Sequence, residues 1–121
     1  MRVKNEYIND YLIEVREAFG RRLTEVMEFR GYTRTEIREI LKTKYNYLIN
    51  RQAFAKYQRG EVWIPEDFAY CVANILGISP MFFLNPRITD ETFENWKRDQ
   101  RFRAEFVDFL EVKDKELRAT K

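Results

Sequence analysis

Apolar residues recur at steps of three or four along the first part of the chain. Ile8, Leu12, Val15, Phe19, Leu23 and Val26 form a helical stripe with charged residues between them, which predicts a helix over about residues 6–30. Gly20 lies inside that stripe. Glycine costs roughly 1 kcal/mol relative to alanine in a helix interior, so a weakening or split of the helix is expected there. Phe29 and the Gly31-Tyr32 pair close the segment.

Thr33 with Glu36 has the spacing of a capping box and predicts a second helix carrying Ile37, Ile40 and Leu41 on its apolar side. The stretch from Lys42 to Ile49 is compatible with an extension of that helix, a loop, or an early start of the next. Asn50 is a favourable N-cap, and Gly60 a favourable stop, for a helix burying Ala53, Phe54 and Tyr57. Pro65, followed by Glu66 and Asp67, suits the first turn of a fourth helix that Gly77 ends. Ser79-Pro80 repeats the cap-then-proline signal for a short fifth helix over Met81–Leu84. Asn85-Pro86-Arg87 reads as a boundary, and Thr89 or Asp90 caps a long charged segment over about 91–118.

The pattern thus predicts an all-α chain. A helical extension occupies residues 1–18, a compact five-helix domain 19–86, and a long C-terminal helix 87–121. At 121 residues, 45% of them hydrophobic, the chain can bury one core. The absence of histidine removes His-based acid–base catalysis and Cys/His zinc patterns. Cys71 alone makes no disulfide framework, and its place among apolar residues of a helix suits a small core side chain. No glycine-rich phosphate loop, nucleophile elbow or metal-ligand spacing is present, so neither enzyme, metal nor cofactor is expected. No leader-like or membrane-spanning apolar run occurs, and a cytoplasmic location is the expectation.

Charge changes the picture more than composition does. The whole chain has a net charge of +2, yet residues 33–59 carry seven basic side chains against two acidic, a balance of +5. Positive charge concentrated on one supersecondary unit is the footprint of a phosphate-backbone partner.

Five fragments in order strengthen that reading: Phe19-Gly20-Arg21-Arg22-Leu23; Gly31-Tyr32-Thr33-Arg34-Thr35-Glu36-Ile37; Asn50 through Gly60; Pro65 through Ser79; and Phe83-Leu84. Together they resemble the Xre/Cro-type helix-turn-helix family of bacterial and phage repressors, over about half of the chain. The resemblance implies a lambda-repressor-like fold and double-stranded DNA as partner. It places Arg51, Gln52 and Lys56 at base edges, Arg34 on phosphate, Asn50 and Arg59 on the backbone, and Arg21 or Arg22 in a lesser backbone contact. Two features depart from the pattern. The connection across Lys42–Ile49 is about six residues longer than usual, and Arg38 stands where a small residue normally lets the two helices pack closely.

After Pro86, nine basic residues balance nine acidic ones, so this segment is a poor DNA clamp. Its Phe93, Trp96, Phe102, Phe106, Phe109 and Leu110 need a surface, either the same domain or a second copy. The second option makes them a dimer interface, which suits a repressor-like homodimer on a partly palindromic operator. The rival expectation is an antitoxin or anti-repressor that binds a protein partner through this C-terminal helix.

Overall fold

A single helix of 29 residues opens the chain: α1, Arg2–Arg30, about 43 Å long at 1.5 Å per residue. The computed structural model describes residues 2–103, with side chains from residue 8 onward. Within α1, Phe19, Leu23, Val26 and Met27 are buried, whereas Ile8, Tyr11, Leu12 and Ile13 are exposed. The stripe foreseen from Ile8 to Val26 is therefore core-forming only in its second half.

Gly20 does not split α1. A methyl group built there would lie 2.6 Å from the Gln58 carbonyl oxygen and collide with that of Tyr57. The glycine is thus a clearance for the end of another helix, and that packing outweighs its poor helix propensity. Gly31, at φ +76°, ends α1, and Tyr32 N–H donates to Met27 O at 2.9 Å across the left-handed turn.

Helix α2, Arg34–Tyr45, begins with both arms of the Thr33/Glu36 capping box in place. It buries Ile37 and Leu41 and stops at Asn46, which adopts the left-handed conformation at φ 52° and ψ 37°. Half of the long connection foreseen across 42–49, residues 42–45, is an extra turn of helix. Only residues 46–50 separate α2 from α3, Arg51–Arg59.

Asn50 caps α3, its Oδ1 accepting from Ala53 N–H at 2.7 Å, and Gly60 ends it at φ +70°. Helix α4, Glu66–Leu76, has Pro65 as its cap rather than its first residue, with Glu66 and Asp67 in the first turn. A 3-10 turn, Pro80–Phe83, follows Ser79, one residue earlier than the sequence pattern places it. The core gathers around Phe68, whose ring meets Phe54 edge-on at 5.3 Å and Tyr57 at 4.9 Å.

The chain divides between Ile88 and Thr89 into two units. The first, with α1 to α4 and the 3-10 turn, takes in residues 2–18, because α1 runs through them without a break. In the second, the chain is helical over residues 90–103, entered through Thr89, whose hydroxyl accepts from Thr92 N–H at 3.2 Å. No strand occurs among the described residues, and the fold is all-α. No described helix is long and apolar enough to cross a membrane.

Candidate nucleic-acid interface

Helix α3 has two unlike sides. Phe54 and Ala55 are buried, and Tyr57 is half-buried against Phe68, so the side bearing Phe54 and Tyr57 belongs to the core. Arg51, Gln52 and Lys56 are exposed. The side chains of Arg51 and Gln52 make no hydrogen bond or ion pair with any described residue. With Arg34, Ala55 and Arg59, these three line an open cleft of about 400 Å³. Apart from Arg21 and Arg22, five of the six residues expected to touch DNA therefore meet in one place. Asn50 is the exception; it lines a neighbouring hollow, and its Oδ1 is engaged as the helix cap.

Two members of the cleft carry internal duties. Arg34 Nε donates to Gln58 Oε1 at 2.8 Å, tying the start of α2 to α3. Gln58 Nε2 in turn donates to Thr24 Oγ1 at 3.3 Å and reaches Met27 Sδ at 3.6 Å on α1. Gln58 is thus the joint of three helices, a role that its place in the Asn50–Gly60 fragment did not by itself reveal. Arg59 forms a bidentate pair with Glu61, at 2.8 and 3.3 Å. That hydrogen-bonded partner raises the Arg59 guanidinium above its ordinary range and lowers the Glu61 carboxyl. The pair offsets one positive charge of the cleft, which leaves Arg34, Arg51 and Lys56 as its uncompensated cations, since Gln58 is a neutral partner.

The structure narrows one expectation, a lesser backbone contact by Arg21 or Arg22. Arg22 is 4% exposed and donates to Phe82 O at 3.1 Å and Ile88 O at 2.9 Å, so it holds the fold and cannot reach a duplex. Arg21, its neighbour, is exposed.

No family model matches this chain, and no curated protein or solved structure matches it.

The departure at Arg38 has a structural use. Its Nε donates to Ile49 O at 3.0 Å, so the large side chain straps the α2–α3 connection instead of crowding it. Tyr47, in the same connection, packs on Phe68 at 6.2 Å and donates its hydroxyl to Asp67 Oδ1 at 3.4 Å. Burial, then the Asp67 carboxylate, push the Tyr47 phenol up to about 12. The second hollow, about 440 Å³, is lined by Thr35, Arg38, Glu39, Lys42 and the 47–50 segment. Leu48 stands out in it, 77% exposed.

Of the residues expected at a dimer interface, Phe93 is buried and stacked on half-buried Trp96, with ring centroids 6.1 Å apart. Phe102 is 68% exposed. Phe106, Phe109 and Leu110 lie outside the described residues. Among the described residues no cluster of His, Cys, Asp or Glu could hold a metal ion. Cys71 is half-buried rather than fully inside the core, and burial pushes its thiol up, away from the reactive thiolate.

Proposed function

We propose that this chain is a sequence-specific DNA-binding regulator in which α2, the 46–50 turn and α3 act as a helix-turn-helix. The observation that carries the proposal is the cleft on the outer side of α3. Arg51, Gln52 and Lys56 line it while the opposite side of the same helix is fixed in the core. Arginine and lysine in the first turns of such a helix can pair with guanine O6 and N7, and glutamine with adenine N6 and N7. Arg34 supplies charge at the start of α2, and its η nitrogens lie beyond the Nε that serves Gln58. On this reading two copies bind a partly palindromic operator, with apolar residues such as Phe102 on the contact between them.

The test is selection of bound sites from random duplexes, followed by affinity measurements on the enriched site and a scrambled one. Arg51→Ala and Gln52→Ala should each cost about 1–3 kcal/mol on the enriched site and relax preference at one position per half-site. If neither variant changes the ratio of enriched to scrambled binding, α3 is not the reading helix.

A further inference from the structure

We infer that Leu48 is a specificity residue that seats its side chain against the C5-methyl of a thymine beside the base pairs met by Arg51 and Gln52; the inference rests on the function proposed above.

The turn is built to present this one side chain. On one side, Tyr47 is anchored by the Phe68 ring and by its bond to Asp67. On the other, Ile49 O is held by Arg38 Nε at 3.0 Å. Asn46, in the left-handed conformation, fixes where the turn leaves α2, and Asn50 fixes where it enters α3. Between these anchors Leu48 is 77% exposed, on a hollow whose cations are Arg38 and Lys42 and whose acidic member is Glu39. Asn50 lines this hollow and the next residue, Arg51, lines the cationic cleft of α3, so consecutive residues of the chain link the two.

The chemistry narrows what the leucine can meet. It offers no donor to a phosphate oxygen and no partner for the polar edges of a base. The apolar group that a major groove displays is the thymine methyl. Leu48 lies three residues before Arg51, a reach of at most about 10 Å along the chain. With a rise of about 3.4 Å per base, the thymine falls within about three base pairs of the one Arg51 contacts.

The experiment uses the full chain and the duplex enriched by selection. Each thymine is replaced in turn by deoxyuridine, which deletes the methyl and nothing else. Within three base pairs of the Arg51 position, one replacement per half-site should weaken binding about fourfold, the value of one buried methyl. Leu48→Ala should bind the thymine and uracil forms at that position equally, with a melting temperature matching the parent because the side chain is exposed. If no uracil replacement matters, or if the variant keeps the same uracil penalty, the inference is overturned, while the losses in Arg51→Ala and Gln52→Ala leave the proposed function standing. If selection enriches no duplex at all, both fall together. A loss in Leu48→Ala that ignores the methyl also counts against the inference.

Discussion

Arg16, Arg22 and Arg30 of α1 and Arg51 of α3 carry the same chemical group, put to opposite uses. Along α1, Arg16 donates to Gly60 O at 2.6 Å, Arg22 to Phe82 O and Ile88 O, and Arg30 to Leu76 O at 2.9 Å. Each reaches carbonyls at or near the end of another segment: α3, the 3-10 turn and α4. Helix ends leave carbonyls without intrahelical partners and carry partial negative charge, so a guanidinium there satisfies both needs. On α3, Arg51 has no described acceptor and stays exposed. What separates the two groups is the acceptor within reach. A count of positive charge along the chain cannot distinguish them.

The comparison breaks most visibly at Arg22. Arg22→Met keeps most of the volume but leaves the Phe82 and Ile88 carbonyls without their donor. It should cost about 3 kcal/mol, since unsatisfied buried groups cost about 1–3 kcal/mol each. A fall in Tm of about 10 °C or more should register it. Arg51→Ala should change stability by less than about 0.5 kcal/mol, as expected of an exposed side chain. Equal losses in the two variants, followed by thermal or urea melting, would remove the distinction.

Gly20 tests the crossing that Arg16 fastens. Gly20→Ala gains about 1 kcal/mol in helix propensity. The obstacles, however, are backbone atoms of Tyr57 and Gln58, which cannot swing aside. Overpacking of this kind costs about 1–3 kcal/mol or more, so a net loss of about 1–2 kcal/mol in urea melts is expected. A stabilised variant would mean that α3 can slide along α1.

Arg38→Ala is the next smaller effect. It releases the Ile49 carbonyl and should cost about 1 kcal/mol, one part-buried hydrogen bond. The same variant should loosen the aim of Leu48, seen as a weaker penalty for uracil in the enriched duplex.

The smallest effect is a pH dependence. The Glu36 carboxyl is held below its usual value of 4.5 by hydrogen bonds from the Thr33 backbone and hydroxyl. A lowered folded-state value contributes stability that is present above 4.5 and is lost as pH falls through the lowered value. Glutamine keeps the capping geometry without titrating. Glu36→Gln should therefore match the parent near neutral pH and lose less Tm between about pH 5 and pH 3. Identical pH profiles for the two proteins would remove Glu36 from the acid response.

The parts of this fold that were legible in the sequence are those settled by local chemistry. Thr33 with Glu36, Asn50, Gly60 and Gly77 each act within a few residues of themselves, and the structure places each at the helix end it marks. Gly20, Arg22 and Arg38 could not be read in the same way. Their partners are Tyr57, Ile88 and Ile49, brought near only by the folded chain. The candidate site divides along the same line. The exposed positions Arg51, Gln52 and Lys56 follow from the helical period, whereas the Arg34–Gln58–Thr24 linkage depends on three helices meeting.

That linkage has a consequence for how the molecule can change over time. Gln58 holds three helices together from the inner side of α3, while Arg51, Gln52 and Lys56 on the outer side hold none. Substitutions at those three positions would leave the joint intact, so the outer surface can drift, be selected or be redesigned while the scaffold stays the same. If α3 reads DNA as proposed, a new target preference is reachable by single steps that each preserve a folded protein.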